Sequence, residues 1–473
     1  MFNWIKKKLG LVKSCCVKTQ ESNDKLTVFL NDPTTPDLTI NLNKPISKSA
    51  LNFHIENWKG NNGPRGSFAS QCTNSNALVS ETINYFCKHI RVNSWSSTQN
   101  LTIVPRAGDQ LNAFYDRKHL KFFHTKDSNK KTIYTIDSSD IVTHELGHAL
   151  LDAIRPELWN MQALEIWSFH EAFADIMAIL SLLQFDDSIK YVIEKTNGDL
   201  GKPNVVSNLA EQVGSTIYNL TGDTRRSPNA LRSAINDFVY VNPNTLPKEA
   251  PPNELAAECH SFGRVFLGAL YEILVEIYNE LVKQTHEPNS ALKIARDHLS
   301  GCLFVASKKA ALSPKYYNSV ASSMLLVEKS KGSKYYDLMK SIFMNRKILT
   351  PNPPLMLSNI TWSDLIMEVG LDDEIIKSST ASAITFKNKR KVILSDHMVT
   401  ALEDDSLHNV EIEVPNDSFY EFNKDGHVIN QIQSLEEDIF ESIKACMGYV
   451  KNSLGDNSMF KIEDGKLIRN YFE

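Results

Sequence analysis

The stretch Thr143-His144-Glu145-Leu146-Gly147-His148 places two histidines four residues apart, with a glutamate between them. On a helix, residues at this spacing project from one face, about one turn apart. Two imidazole nitrogens so placed reach a single zinc ion, and the intervening glutamate reaches a water bound to that ion. The pattern is short, however, and a helix with two unrelated histidines explains it about equally well.

The residues on both sides of this stretch predict a helix. Asp137, Ser138 and Ser139 offer side-chain oxygens for the helix N-cap. Pro156 ends the segment. Between them, apolar side chains recur at helical spacing, at Ile141, Val142, Ala149, Leu150 and Ala153.

A second helical stretch, residues 169–176, supplies carboxylates that suit the same ion. Glu171 and Asp175 are four residues apart and share one face of an otherwise apolar helix. Burying such an acid pair is costly unless each carboxylate meets a cation or a donor. Zinc on Glu171 and an imidazole N–H of His144 on Asp175 would satisfy both. The pair therefore favours a zinc site with His144, His148 and Glu171 as ligands and an open position for water.

The HELGH stretch followed by an ExxxD helix resembles the gluzincin metallopeptidases, specifically their thermolysin-like and fungalysin-like branches. Residues 111–116 resemble the edge strand that holds substrate backbone in those enzymes, which implies substrate contacts at Asn112 and Ala113. These and the following matches occur in the family's order over about residues 100 to 275.

Two further segments extend the resemblance and imply catalytic roles. Leu231-Arg232-Ser233 resembles the segment whose guanidinium contacts the carbonyl after the scissile bond. Residues 258–263 resemble the segment with the transition-state histidine, which here is His260. With Glu145 as general base, the resemblance implies a zinc metalloendopeptidase with peptide or protein substrates. Two alternatives stay open: a catalytically silent binding protein of gluzincin fold, and a zinc hydrolase of a non-peptide amide or ester.

Three departures from the family pattern concern the surroundings of the zinc site. Trp159 occupies the region where thermolysin-like enzymes place a tyrosine, and its N–H is a donor of different reach. His170 replaces the usual asparagine before the third ligand. Asp140 stands where the family has a calcium ligand, but Leu182 replaces an expected acid, so we expect no calcium at the usual cluster.

The pattern of strands and helices predicts a two-lobed α+β zincin fold. Strands with one polar face fit an antiparallel sheet beside the zinc helix. Val79 to Ile90 is the one helix predicted among these early strands. The predicted divisions are a basic tail (1–24), a β-rich lobe that ends in the zinc helix (25–155), a helical lobe (156–375) and a small α+β domain (376–473) with a terminal hairpin at Asp464-Gly465.

Composition excludes several classes of protein. The 473 residues are 42% apolar and 23% charged, as in soluble globular proteins, and no apolar run reaches the length of a membrane span. The net charge of -5 gives no reason to expect nucleic-acid binding. Seven cysteines without a CxxC pair favour reduced thiols in a cytoplasm-like compartment. Cys259 beside His260 suggests a nucleophile, but packing is the better interpretation because neighbours on a helix diverge.

The first residues of the sequence do not have the uninterrupted apolar core of a secretory signal. Lysines interrupt their apolar residues, so we expect a cytoplasmic protein and leave non-standard export open. An apolar stripe with lysines opposite predicts weak membrane-surface contact through residues 1–16, with a frayed basic tail as the alternative. The stripe consists of Phe2, Ile5, Leu9 and Val12.

Overall fold

The computed structural model of the chain describes residues 25–350 and 375–472, apart from short gaps. The gaps are at 36, 44–47, 224–225, 378–382, 389, 396–397, 400–404, 423–427, 433 and 456–457. The predicted basic tail, residues 1–24, therefore lies outside the described residues.

The helices form most of the central part of the chain. They are α1 (Phe68–His89), α2 (Ser139–Ile154), α3 (Leu164–Leu183), α4 (Asp186–Thr196), α5 (Glu211–Thr221), α6 (Cys259–Thr285), α7 (Pro288–Lys309), α8 (Tyr316–Ser330), α9 (Tyr336–Asn345) and α10 (Glu436–Asn452). The zinc helix α2 ends two residues before Pro156, as predicted.

The strands lie before α2 and after α9, except for one short pair between α4 and α6. They are β1 (Lys25–Phe29), β2 (Thr39–Asn43), β3 (Phe53–Ile55), β4 (Leu101–Val104), β5 (Ala113–Tyr115), β6 (His119–Phe122), β7 (His124–Lys126), β8 (Thr132–Tyr134), β9 (Asn208–Leu209), β10 (Arg232–Ser233), β11 (Ile375–Lys377), β12 (Ala383–Phe386), β13 (Arg390–Ile393), β14 (Glu411–Val414), β15 (Ser418–Phe422), β16 (Val428–Ile432), β17 (Phe460–Glu463) and β18 (Lys466–Arg469). A β-rich amino-terminal part followed by a helical part confirms the predicted α+β class.

The sheet beside the zinc helix has the order β3-β4-β6-β5, which makes β5 an edge strand. The β3–β4 and β4–β6 pairs are parallel, and only β5 and β6 pair antiparallel. The prediction of an antiparallel sheet is therefore wrong. The reason is the long connection between β3 and β4, which contains α1 and so returns the chain in the same direction.

Helix α1 is also longer than the predicted Val79–Ile90. It begins at Phe68, where the Ser67 side chain accepts a hydrogen bond from the Ser70 N–H as an N-cap. Its first half is polar, so the apolar periodicity did not reveal it, yet Gln71 is buried and bonds to Asp137. This contact attaches α1 to the residues just before α2.

Helix α3 is the centre of the core, with every residue buried. Among the described helices it alone is long and apolar enough to match a membrane span, and here it is enclosed by protein. Helix α2 approaches it at Gly147, where an added Cβ would stand 2.7 Å from Ala174 Cα. Helix α6 approaches it from another side at Gly263, where a Cβ would stand 2.9 Å from Ser168 O. The glycines thus allow backbone contact among the three helices.

The last hundred residues form two small sheets and α10. The sheets have the orders β11-β12-β15-β16 and β13-β14-β18-β17. Strands β17 and β18 form the predicted hairpin, with positive φ at both Asp464 and Gly465, as a tight two-residue turn requires. This part packs against the segment between α2 and α3, where the Gln162 N–H donates to Glu413 O.

Candidate metal centre

Helices α2 and α3 bring together the three predicted zinc ligands. The Nε2 atoms of His144 and His148 are 3.2 Å apart. Glu171 Oε2 lies 3.5 Å from His144 Nε2, and its Oε1 lies 3.7 Å from His148 Nε2. All three side chains are buried. Two imidazole nitrogens and a carboxylate thus face one point, as the i, i+4 spacing predicted.

The Glu171 carboxylate shows that this cluster suits a cation. Within the described part of the chain, neither of its buried oxygens accepts a hydrogen bond. A buried carboxylate without donors is costly, whereas a metal ion between it and the two imidazoles satisfies all three groups. Two histidines, one glutamate and an open fourth position form the donor set of catalytic zinc.

A buried ion pair holds His144 from behind. His144 Nδ1 lies 2.8 Å from Asp175 Oδ1. Arg232 on β10 donates two parallel hydrogen bonds to the same carboxylate, from Nε at 2.9 Å and from Nη2 at 2.8 Å. Burial opposes ionisation of Asp175, but Arg232 and His144 hold its pKa below the usual range. Asp175 thus fixes both an imidazole at the metal position and a guanidinium at the cleft.

His148 has a second histidine, His170, as its partner. Its Nδ1 lies 3.3 Å from His170 Nδ1. Burial, followed by the charges of Arg469 and Arg117, lowers the pKa of His170 well below its usual value, so this imidazole is neutral. A neutral imidazole accepts a hydrogen bond at one ring nitrogen, so His170 is able to orient His148.

His260 stands at the start of α6 with each of its ring nitrogens close to a carboxylate. His260 Nε2 lies 3.2 Å from Glu171 Oε2, and His260 Nδ1 lies 2.8 Å from Glu258 Oε1. Glu258 is also the N-cap of α6, since its side chain accepts from the N–H groups of His260 and Ser261. Sequence reasoning did not assign a role to Glu258. Its place directly before the helix was the available signal, because an acid there caps the helix.

The cluster opens onto a cleft of about 770 Å³. Glu145, His260 and Arg232 line this cleft. Asn112 and Ala113, where the edge strand β5 begins, line it as well. The Asn112 side chain accepts a hydrogen bond from the Ala113 N–H. All predicted site residues except the buried His148 and Glu171 therefore line one cleft.

The surroundings of Trp159 and Cys259 indicate structural roles for both side chains. The Trp159 indole N–H donates to Arg469 O at 2.9 Å and is therefore already occupied within the fold. Burial, followed by the charge of Glu258, raises the pKa of the Cys259 thiol to about 12. A neutral, buried thiol is a packing group, in line with the preferred interpretation.

Asp140, one turn before His144, belongs to a separate group of acids. Asp32, Asp140 and Glu211 are buried and lie close enough together to hold a metal ion. Leu182 borders the same region from α3. Burial and the neighbouring carboxylates raise the pKa of Asp140 to about 7 and that of Glu211 to about 9. The expectation that calcium is absent at the family's usual cluster stays a prediction.

Residues 13–152 match the family model of the thermolysin metallopeptidase catalytic domain. The match includes the edge strand and all but the last two residues of α2, with His144, Glu145 and His148, and it ends before Glu171. A comparison with curated proteins found no match to the chain. The family implies zinc, and the cluster of His144, His148 and Glu171 fits a zinc site. The predicted resemblance is therefore confirmed: over residues 13–152 the chain is similar to the catalytic domain of thermolysin-like zinc metallopeptidases.

Proposed function

We propose that the chain is an endopeptidase that hydrolyses internal peptide bonds, with Glu145 as general base. The observation that carries this proposal is the position of Glu145 between two metal-facing imidazoles, at the wall of an open cleft bordered by an edge strand. An edge strand binds extended peptide through its main chain, which favours a peptide over another amide or ester.

Each residue of the cleft has a distinct role in the proposed reaction. His144, His148 and Glu171 would hold a zinc ion, which would supply a Lewis acid and a water of lowered pKa. Glu145 accepts the proton of the attacking water and returns it to the leaving amine. His260 donates from Nε2 to the oxyanion that develops on the scissile carbonyl, while Glu258 holds its Nδ1.

Arg232 is the proposed donor to the next carbonyl of the substrate. The Asp175 carboxylate accepts hydrogen bonds from Nε and Nη2 of the Arg232 guanidinium, so Nη1 is the donor that we assign to the substrate. The bidentate pair fixes the plane of the guanidinium. A donor held in this way loses little conformational freedom when the substrate binds, which favours catalysis through positioning.

The proposal is tested with wild type and Glu145→Gln side by side. We expect zinc in both proteins, and cleavage of casein and of an internally quenched peptide by wild type only. A chelator should abolish that cleavage. The loss in Glu145→Gln should be about 10²- to 10⁴-fold, the usual contribution of a general base.

Other outcomes favour the alternatives. Zinc in wild type without cleavage of any peptide, together with hydrolysis of small amides or esters, would favour the non-peptide hydrolase. Zinc without any hydrolysis would favour the silent binding protein. The cytoplasmic location and the membrane contact of residues 1–16 stay predictions.

A further inference from the structure

The last described residues of the chain add a short strand to the proposed substrate edge. The Tyr115 N–H on β5 donates to Phe472 O at 2.9 Å, and the Phe472 N–H donates back to Tyr115 O at 2.9 Å. The bridge is antiparallel. Strand addition of this kind is the same mode of binding that we propose for a peptide substrate.

Side chains hold this added strand firmly in place. The Tyr471 ring stacks on Phe114 with centroids 4.4 Å apart. Phe472 is fully buried and stacks on His170 at 4.0 Å and on the zinc ligand His148 at 5.3 Å. The Arg469 guanidinium lies 4.0 Å above the Phe472 ring. The strand is therefore a fixed part of the site and is packed against its ligands.

The hydrogen-bonding direction along β5 shows what this strand covers. In an antiparallel pair, alternate residues direct their N–H and C=O groups to opposite edges. Asn112 and Asp116 bond toward β6, through Phe123 N–H and His119 O respectively. The backbone N–H and C=O groups of Ala113 and Tyr115 therefore point to the outer edge of the sheet, away from β6. Ala113 lines the cleft, whereas the outer edge at Tyr115 is already paired with Phe472.

We propose that Tyr471 and Phe472 limit substrate recognition on the amino-terminal side of the scissile bond. This inference rests on the proposed peptidase function. A substrate antiparallel to β5 places the residue opposite Tyr115 two positions closer to its own amino terminus than the residue opposite Ala113. Phe472 occupies that position. A longer substrate must turn away from β5 there, so it gains no strand pairing from additional amino-terminal residues.

The test is a series of acetylated, quenched peptides with a constant carboxyl-terminal side. One to five residues precede the scissile bond. Wild type should show kcat/KM that changes by less than about threefold from two to five residues, because no free edge remains. A variant that ends at Asn470 should gain about tenfold or more over the same range, the usual effect of two added hydrogen bonds.

Phe472→Leu is the matched control, because it keeps the backbone pairing and shortens only the side chain. It should retain the flat length dependence of wild type. Zinc content and circular dichroism establish that each variant is folded. If the shortened chain does not fold, the wild-type series still decides, since a tenfold rise with length in wild type would overturn the inference.

The remaining outcomes separate the inference from the function beneath it. Cleavage with a flat length dependence in both wild type and the folded shortened chain would show that the outer edge at Tyr115 is not used, and the inference would be wrong. Failure to cleave any peptide of the series would contradict the peptidase proposal and the inference together. Cleavage with length dependence only in the shortened chain supports both.

Discussion

Helix α2 carries residues of two buried clusters, one turn apart, that hold their carboxylates in different ways. His144 belongs to the zinc centre and Asp140 to the group with Asp32 and Glu211. In the zinc centre, Asp175 has a guanidinium and an imidazole as partners. The donors to Asp140 are neutral backbone N–H groups of Ala210 and Ile141.

The difference shows two ways in which the cost of burying a carboxylate is reduced. Positive groups at Asp175 keep it ionised, with its pKa below the usual range although burial opposes this. At Asp140, burial and the nearby Asp32 raise the pKa to about 7, so a proton takes the place of a cation. Helix α2 therefore contributes to one cluster that fits a zinc ion and to another whose carboxylates bind protons more readily than usual.

The largest expected effect is the loss of the third ligand. Glu171→Gln should lower zinc affinity strongly and reduce kcat/KM by about 10³-fold or more, because the metal supplies several kcal/mol of transition-state stabilisation. Zinc content by elemental analysis and peptide cleavage measure both quantities. Glu165→Gln, at a buried glutamate of the same helix that bonds Tyr240 and Tyr317, is the control and should keep zinc. Full activity in Glu171→Gln would remove Glu171 from the ligand set.

The second largest effect is expected on removal of Arg232, because the buried Asp175 carboxylate then loses its guanidinium partner. Arg232→Met leaves Asp175 buried with only His144, and we expect the free energy of unfolding to fall by about 3 kcal/mol. Urea unfolding of Arg232→Met, Asp175→Asn and the double variant measures the coupling. The double variant should lose less than the two single losses together, since it strands no charge. Additive losses would show that the pair contributes no coupling.

The acid cluster should make stability depend on pH in the opposite sense from a paired carboxylate. The unfolded pKa of Asp140 is about 4, and its folded pKa is about 7, so the folded chain binds the extra proton between these values. In chelator, the free energy of unfolding should therefore fall as pH rises through this window, and further toward pH 9 because of Glu211.

Asp140→Asn sharpens that test. It should make the fall between about pH 4 and 7 shallower, leaving the part due to Glu211, and raise stability at pH 8 by roughly 2 kcal/mol, measured against wild type in the same chelator. A wild type that calcium stabilises at pH 8, with Asp140→Asn insensitive to calcium, would contradict the expectation that calcium is absent.

The smallest effect is expected at Glu258. Glu258→Gln keeps one acceptor oxygen, for His260 Nδ1 and the His260 N–H, but it removes the charge and replaces the oxygen that accepts from the Ser261 N–H by an amide NH2. We expect kcat/KM to fall about tenfold, mostly through kcat, because His260 acts in the transition state. Steady-state kinetics on one peptide measure this split. Glu258→Ala should lose about 1 kcal/mol of stability as well, through the helix cap, whereas an unchanged kcat in both variants would exclude the positioning role.

Local spacing explains which parts of this molecule could be predicted. The spacing of His144 and His148, and of Glu171 and Asp175, indicated shared helix faces, and the structure brings these four side chains together. The Asp464-Gly465 hairpin was equally local. Each of these patterns lies within a few residues, so period and turn chemistry are sufficient to recognise it.

Contacts between distant parts of the chain were not predictable in this way. Trp159 is a donor in isolation, and only the folded chain shows that Arg469 O accepts its hydrogen bond. The pairing of Tyr115 with Phe472 likewise has no signal in either segment. Asp32 was not linked to Asp140, because nothing in a β1–β2 turn indicates which helix end it meets. The direction of β3 and β4 depended on where the intervening helix packs.

The backbone contacts at Gly147 and Gly263 have a consequence for the rate of metal loading. At these two points α2 and α6 already lie against the backbone of α3, so loss of the ion leaves little space into which the helices could move. We expect an ion-free chain to keep His144, His148 and Glu171 nearly in register. Activity should then return on adding zinc as fast as the ion enters the cleft, without a slow refolding phase, which stopped-flow measurement would register.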